Sequence, residues 1–243
     1  MPQEQKPTNS KHKIYLGLTT AGMSDWREKI DEIKSLGLKE IAVFPTSLKK
    51  DERWELYRTL LNSSINYIPF VHLRHDSEIE EVAFFAKNFK TKLFNVHPIE
   101  SDNGLFKRFP NRRKQLFIEN AGRITPTFFK AIEASAGICL DISHWADYGV
   151  MQKESGYRDF EKVLNNYPVG FAHLTSVRKK PFYRDYGEFG AHLWHHSAHL
   201  MEKVSDFDYL KKYLDYLPEI MGIELENNLH EQLEAKKYIE GLL

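Results

Sequence analysis

The sequence is almost without cysteine and has no net charge. Cys139 is the one cysteine among 243 residues, so no intrachain disulfide can form, and we expect a reducing compartment. Lysine and arginine together number 34, as do aspartate and glutamate, which leaves the formal charge at zero. Without a positive global field, the chain lacks the usual electrostatic feature of a dedicated nucleic-acid binder.

Long apolar runs are also missing. No stretch approaches the length that spans a bilayer. The first twelve residues, MPQEQKPTNSKH, are polar and contain two prolines, so they resemble neither a signal peptide nor an anchor. We interpret residues 1–12 as a flexible tail and expect a cytoplasmic protein. A Gly-rich phosphate loop, a nucleophile elbow and zinc-type cysteine pairs are absent too, which removes three common kinds of site.

From Lys13 onward, short β-like runs alternate with amphipathic segments of helical period. This pattern is typical of βα units around a parallel sheet. The predicted strands are Lys13–Thr19, Glu40–Pro45, Tyr67–Arg74, Lys92–Pro98, Gln115–Ala121, Gly137–Ser143, Val169–Thr175 and Ile220–Glu226. The predicted helices are Ser24–Leu36, Asp51–Asn62, Ser77–Asn88, Pro126–Ala134, Tyr157–Asn165, His196–Leu217 with a break near Ser205, and Leu229–Gly241. The sequence therefore predicts one α/β domain, residues 13–243, folded as a single (β/α)8 TIM barrel; an open doubly wound sheet is the alternative.

Six predicted strands carry an acid or a histidine near the C-terminal end, on the same face as the preceding apolar residues. The side chains that share a face are Phe70 and His72, Asn95 and His97, Phe117 and Glu119, Cys139 and Asp141, Phe171 and His173, and Glu224 and Glu226. A barrel of this type has its active site at the C-terminal rim of the strands. We therefore expect these polar side chains to meet at a common centre.

The run Gly137–Trp145, GICLDISHW, is the clearest case. Asp141 ends an apolar strand and His144 follows three residues later in the turn. Carboxylate oxygen and imidazole nitrogen are donors that divalent ions accept, and a strand end holds them rigidly. In the alternative interpretation, Asp141 caps the next helix and His144 is a surface residue.

Glu119 ends another apolar strand, within QLFIENAG. A carboxylate buried there requires an ion or a cation, and a salt bridge with Arg123 is the structural alternative. His72, His97 and His173 approach the same rim, although each alone is better explained as a hydrogen-bonded core residue. Together with three carboxylates they predict a metal centre, because carboxylates that share a site raise one another's pKa.

Two glutamates share a face of the last strand, within GIELENN. We predict Glu226 as the ligand because it is nearer the C-terminal end. Glu224 remains the alternative.

The segment after the seventh strand is basic and is followed by a cluster of histidines. Barrels often bind a phosphate or an acidic substrate group at this place, although a solvated charge run has the same sequence pattern. The basic residues are Arg178, Lys179, Lys180 and Arg184, and the histidines are His192, His195, His196 and His199. The histidines are candidates for a further metal or for the substrate; alternatively, His196 and His199 line a helix surface.

Four short motifs resemble the xylose isomerase-like barrel superfamily, which includes sugar-phosphate isomerases and epimerases and the endonuclease IV group. They are VHP at Val96–Pro98, IENAG at Ile118–Gly122, GICLDISH at Gly137–His144 and HL at His173–Leu174, and they occur in the expected order. The resemblance covers most of the chain from the third strand to the eighth.

For the epimerases, the resemblance implies one divalent ion, commonly manganese, held by Glu119, Asp141, His173 and Glu226. Glu119 and Glu226 would then exchange a proton at the carbon next to a carbonyl, while the metal stabilises the enediolate. The residues that would contact substrate are His144, Arg178, Arg184 and His192.

For the endonuclease IV group, the resemblance implies several zinc ions, with His72 and His97 joining Glu119 on one of them. Glu119 would bridge to a second ion, and His144 would serve a third. That group completes the third site with Asp-x-His after the seventh strand. This chain has Asp185, Glu188 and His192 at other spacings, which argues against a third ion.

We therefore predict a barrel that holds one or two ions, zinc or manganese, and acts on a small sugar, sugar phosphate or polyol by metal-assisted proton transfer. The alternative is a zinc phosphodiesterase or AP endonuclease of the endonuclease IV kind, with nucleic acid as its partner. A further alternative is a barrel that binds without catalysis. The sequence leaves the oligomeric state open.

Overall fold

Nine short strands, all paired in parallel, form one sheet that curls into a nearly closed barrel. The computed structural model describes residues 11–22, 24–98, 108–185 and 192–243, and only the backbone at 184, 185, 192 and 193. Residues 1–10 of the predicted tail lie outside this part. The barrel strands are β1 (Lys13–Tyr15), β2 (Gly17–Thr19), β3 (Ala42–Phe44), β4 (Phe70–His72), β5 (Leu93–Val96), β6 (Leu116–Glu119), β7 (Gly137–Asp141), β8 (Val169–Leu174) and β11 (Ile220–Ile223).

The strand order explains both the closure and the ninth strand. It runs β1-β11-β8-β7-β6-β5-β4-β3-β2, so the two ends of the sheet are consecutive pieces of the chain. The first predicted strand is interrupted at Leu16; its first half pairs with β11 and its second half with β3. Eight βα positions thus contain nine strands, and the TIM barrel, rather than the open sheet, is confirmed.

Six helices surround the described strands, close to their predicted bounds. They are α1 (Trp26–Leu36), α2 (Lys50–Leu61), α3 (Ile79–Phe89), α4 (Pro126–Glu133), α5 (Phe160–Asn166) and α6 (Leu229–Glu240). The N-cap of helix α1 is Asp25, whose carboxylate accepts from the Arg27 amide at 2.8 Å, and the helix ends at Gly37 in the left-handed conformation.

The barrel interior consists mainly of aromatic side chains. Phe70 and Phe171 stack there with ring centroids 4.4 Å apart, and Phe44 packs edge-on against Phe70 at 5.6 Å. Gly222 makes room for this packing, since a Cβ atom at that position would lie 2.3 Å from the ring of Phe70. Phe117 and Cys139 belong to the same cluster. The predicted inward face is therefore correct, and each donor two residues further on lies directly above this apolar floor.

A two-stranded ribbon follows β8 where the sequence predicts a loop and a helix. Strands β9 (Ser176–Asp185) and β10 (His192–Ala198) pair antiparallel, and the predicted helix His196–Leu217 is wrong. Its first part belongs to β10, and its later part forms the 3-10 helices Val204–Lys212 and Leu214–Tyr216. The carboxylate of Asp147 accepts from the amides of His196 and Ser197, both at 2.9 Å, which holds β10 extended.

Among the described residues, the structure contains no helix that is both long and apolar enough to cross a membrane.

Candidate metal centre

Six acidic and histidine side chains meet where the barrel strands end. His72, Glu119 and Asp141 are the last residues of β4, β6 and β7, and His173 is the penultimate residue of β8. His97 and Glu224 follow β5 and β11 by one residue. All are buried except His97, whose side chain is 49% exposed at the rim. The parallel strands therefore deliver one donor each to a common centre.

Glu119 is the hub of this cluster. Its Oε2 atom lies 3.2 Å from Nδ1 of His173 and 3.6 Å from Nδ1 of His72, and its Oε1 atom lies 3.4 Å from Nε2 of His97. Asn95 donates a hydrogen bond of 2.7 Å to Oε2. Arg123, the alternative partner in the sequence, pairs instead with Glu154 at 3.2 Å. Three imidazoles and an amide, and no arginine, thus surround this carboxylate among the described residues.

Glu224 is the glutamate of the last strand that reaches the centre. Its Oε2 atom lies 3.3 Å from Nδ1 of His173, and its Oε1 atom lies 3.8 Å from Nδ1 of His199. The carboxylate of Glu226 lies against Gly22, where a Cβ atom would come within 2.2 Å of it. Because β11 ends at Ile223, the alternation that groups the two glutamates on one face does not continue to Glu226. The geometry thus favours Glu224, the alternative left open by the sequence, over Glu226.

Asp141 combines the two roles considered for it. Its Oδ1 atom accepts from the Ser143 hydroxyl at 2.6 Å and from the His144 amide at 2.9 Å, which caps the next helical turn. Its Oδ2 atom lies 3.4 Å from Nε2 of His144 and has no hydrogen-bond partner. The Gly122 amide donates to Nδ1 of His144 at 3.2 Å, and this orients Nε2 toward the centre.

The donor atoms fit a divalent ion. Three overlapping groups have donor atoms within 4.8 Å of one another: His72, Glu119 and His173; Glu119, Asp141 and His144; and Asp141, His173 and Glu224. Buried atoms without a hydrogen bond also converge here, namely Nδ1 of His72, Nδ1 of His173, Nδ1 of His199 and Oδ2 of Asp141. Buried polar atoms are rarely left unsatisfied, and nitrogen with carboxylate oxygen suits zinc, manganese or magnesium.

The protonation states of three of these groups, Glu119, Glu224 and His72, suit an ion. Burial would raise the pKa of Glu119, but His72, His97 and His173 hold it well below its usual range. Burial lowers the pKa of His72 to about 3. Glu224 is held at a pKa of about 2, because His199 and His173 outweigh its burial. At neutral pH Glu119, Glu224 and His72 are in the forms that bind metal. Burial would lower the pKa of His97 and His173, but the Glu119 carboxylate opposes this effect and raises the pKa of both, so an ion would displace a proton from these two rings.

Among the predicted substrate-binding residues whose side chains the structure describes, His144 contacts one of these donors, Asp141, and Arg178 has other partners. Arg178 pairs with Glu202 at 2.8 Å, donates to the Leu200 carbonyl at 3.0 Å and lies over the ring of Phe182. The side chains of Arg184 and His192 lie outside the described residues. His196 is on a strand rather than a helix and contacts the Arg178 carbonyl at 2.8 Å. The roles of these residues remain predictions.

Two buried contacts of the cluster are absent from the sequence predictions. Asn95 shares the inward face of β5 with His97, and this parity is the signal that could have identified it. Cys139, interpreted as a plain core residue, lies 3.3 Å from Nε2 of His173. Its position two residues before Asp141 places it on the inward face, but nothing in the sequence indicates which histidine it meets.

The fold has known counterparts, whereas the sequence does not identify a family. No protein-family model matches the chain, and no curated protein matches it. A xylose isomerase-like TIM barrel protein from Mycobacterium smegmatis, solved in complex with magnesium, superposes with a TM-score of 0.50 at 13% identity, over 94% of this chain and 95% of that one. A DAHP synthase, a phospho-2-dehydro-3-deoxyheptonate aldolase from Thermotoga maritima, superposes with a TM-score of 0.51 at 10% identity, over 96% of this chain and 69% of that one. At these identities the likeness establishes the barrel fold.

Proposed function

We propose that this chain is a divalent-metal-dependent enzyme that transfers a proton on a small sugar, sugar phosphate or related polyol. One observation carries the proposal: the carboxylates of Glu119 and Glu224 approach Nδ1 of His173 from two strands, at 3.2 and 3.3 Å. Two carboxylates around one centre provide a base that takes a proton and a second group that, once protonated, can return one.

Glu119, Asp141, His173 and Glu224 would hold the principal ion, with His144 beside it. A bound divalent ion would supply Lewis-acid polarisation of a substrate oxygen. The Mycobacterium smegmatis barrel was solved in complex with magnesium, which supports a divalent ion in this fold.

The chain's own residues would handle the proton. Glu119 is held by Asn95 through Oε2, which leaves Oε1 directed toward the rim near His97. In this proposal Oε1 of Glu119 takes the proton from the carbon next to a carbonyl and later releases it to solvent, and Glu224, once it has taken up a proton from solvent, donates that proton to the substrate from the other side. Glu224 thus takes the place that the sequence predicts for Glu226.

A second candidate is phosphodiester hydrolysis, favoured by the two imidazoles on Glu119. His72 and His97 lie within 3.6 and 3.4 Å of this carboxylate, with ring centroids 4.6 Å apart. This arrangement offers a second ion two nitrogen ligands and a bridging carboxylate, and paired ions suit phosphate displacement. The absence of net charge argues against a DNA substrate.

Two measurements test these candidates. Elemental analysis of protein purified without chelator or histidine tag gives the ions per chain. Loaded protein is then incubated in D2O with a panel of aldoses, ketoses and their phosphates, and proton NMR follows exchange of the C–H next to the carbonyl. Exchange that Glu119→Gln abolishes supports the isomerase. Two zinc ions per chain, with cleavage of a phosphodiester and no C–H exchange, support the hydrolase. If the protein retains no metal after metal is added back, both enzyme candidates are contradicted and a barrel that binds without catalysis is favoured.

A further inference from the structure

A cavity of about 720 Å³ is lined by residues that follow the C-terminal ends of β7 and β8, and none of the metal donors lines it. Its walls come from β9, from the π-helix Trp145–Met151 and from the 3-10 helix Val204–Lys212. This volume is within the range of small-molecule sites in proteins. The cavity is therefore large enough for a ligand of its own.

One side of the cavity is apolar and partly exposed. Val150 and Met151 line it and are 50% and 40% exposed. Phe182 and Tyr213 provide aromatic surface, and the guanidinium of Arg178 lies over the ring of Phe182, 4.8 Å from its centroid. Exposed apolar side chains inside a concave surface are a usual mark of a binding site. A flat apolar group fits this wall.

The charges around the cavity are unbalanced. Its cations are Arg178, Lys179, Lys180, Lys203 and Lys212, and its acids are Glu202, Asp206 and Asp208. Each acid already has partners: Glu202 pairs with Arg178, Asp208 pairs with Lys211, and Asp206 accepts from the backbone amides of Glu202 and Lys203.

Four lysines of this set have no acid within ion-pair distance among the described residues. The described ion pairs, within 4.0 Å, include none of Lys179, Lys180, Lys203 and Lys212. Ammonium groups beside an apolar wall favour an anion that also carries an apolar body. The excess of positive charge therefore predicts that the ligand carries an anionic group beside its apolar body.

We propose that this cavity binds an amphipathic anion, a planar aromatic group that carries a phosphate, sulfonate or carboxylate. The aromatic body packs on Phe182, Val150 and Met151, and the anionic group lies between Lys180 and Lys212. This site is separate from the metal centre, and its occupation does not depend on the function proposed there.

The probe for the test is 2-naphthalenesulfonate, whose own fluorescence anisotropy reports binding to the full chain. We expect saturable binding that is equal in metal-loaded and chelator-treated protein. Lys180→Glu combined with Lys212→Glu should weaken binding by about tenfold or more, because charge-assisted contacts are lost. Phe182→Ala should weaken it as well, and Lys87→Glu, an exposed lysine on α3, should not.

Two further ligands separate the parts of the proposal. We expect 2-naphthol, which has the ring without the charge, and inorganic sulfate, which has the charge without the ring, to bind much more weakly than the probe. No saturation by the probe at millimolar concentration would overturn the proposal. Three other results would overturn the proposal too. Loss of binding with chelator would assign the signal to the metal centre, and equal binding of 2-naphthol would assign it to apolar contact alone. An equal effect of Lys87→Glu would assign it to the general charge of the protein.

Discussion

The Nε2 atom of His173 lies 3.3 Å from the sulfur of Cys139, while Nδ1 of the same ring faces Glu119 and Glu224. Both residues are fully buried. Metal-binding histidines usually place their second nitrogen against a carboxylate or a carbonyl. Burial raises the pKa of Cys139 to about 12, so a neutral thiol has that position here. The thiol fixes which nitrogen of His173 faces the centre without adding a charge.

Replacing Cys139 should therefore alter the metal centre without removing a ligand. We expect Cys139→Ala to weaken metal affinity by about tenfold, at the low end for an outer-shell partner, and to shift the visible absorption spectrum of the cobalt-substituted protein. Cys139→Ser retains a hydrogen-bonding group and should restore much of both. Identical cobalt spectra for the wild type and Cys139→Ala would show that the thiol does not orient His173.

The two glutamates after β11 offer a matched pair of substitutions. Glu224→Gln removes a carboxylate that lies 3.3 Å from His173, and we expect metal affinity to fall by more than the roughly 10–100-fold of an outer-shell change. Glu226→Gln, at a carboxylate that lies against Gly22, should leave affinity within about threefold. Metal titration in a competing chelator measures both. The reverse order of effects would restore the sequence-based choice of Glu226.

The imidazoles on Glu119 decide between one ion and two. If His72 and His97 bind a second ion, His72→Ala and His97→Ala should each lower the elemental stoichiometry by about one ion per chain. Glu119→Gln should lower the stoichiometry further, because Glu119 belongs both to the donor group with His72 and His173 and to the donor group with Asp141 and His144. An unchanged stoichiometry in both histidine variants, with a lowered value in Glu119→Gln, would leave only the mononuclear centre.

The barrel and most of its donors were predictable because strand periodicity is local. Phe70 and His72 share one face of their strand, as do Phe171 and His173, and both phenylalanines lie inside the barrel. The residues between them, Val71 and Ala172, belong to the other core cluster. A period of two, followed by a polar residue at the C-terminal end, therefore identifies both the inward face and the rim. The same rule gave Glu119 and Asp141 from the sequence.

The features that the sequence does not predict depend on where a strand ends and on contacts between residues far apart in the sequence. The sequence favours Glu226 because it is nearer the C-terminal end of the predicted strand, but β11 ends at Ile223. The sequence predicts a helix from His196, whereas the segment is extended because its backbone binds Asp147, about fifty residues earlier. A contact of this sequence separation leaves no periodic pattern, so the sequence alone could not reveal the ribbon.

Lys29 gives a pH-dependent prediction. It is 3% exposed, its Nζ atom donates to the Leu225 carbonyl at 2.7 Å, and burial lowers its pKa to about 8 from 10.5. Between these values the folded chain binds fewer protons than the unfolded chain, so the free energy of unfolding rises with pH from about 8 to 10.5 and is flat below. The full change is on the order of 3 kcal/mol.

Lys29→Met isolates this effect. Gln232 also donates to the Leu225 carbonyl, at 3.1 Å, so the substitution leaves no buried oxygen unpaired. The measurement is urea unfolding at pH 7 to 10 with chelator present. Above pH 8 the wild type should gain stability relative to Lys29→Met. The control Lys34→Met, at an exposed position of α1, should follow the wild type. Parallel curves for all three proteins would show that Lys29 does not titrate in this range.

Asp147 connects the ribbon to the barrel, so its charge should control the ribbon's stability. Its Oδ2 atom accepts from both amides of His196 and Ser197 and from the Ser197 hydroxyl, each at 2.9 Å, and its Oδ1 atom accepts from Gln152 at 2.8 Å. Burial opposes the charge, but these hydrogen bonds and His195 lower the pKa of Asp147 far below its usual range.

Asp147→Asn keeps the size of the side chain but turns one acceptor into a donor that faces other donors. We expect a loss of about 1.5–3 kcal/mol in stability, the value of hydrogen bonds to a charged group. Hydrogen exchange should accelerate at the amides of His196 and Ser197 before the barrel strands are affected, because the lost bonds are local to β10. Asp159→Asn, at an exposed acid paired with Lys162, should change neither quantity. Unchanged exchange at both amides in Asp147→Asn would mean that strand pairing alone holds the ribbon in place.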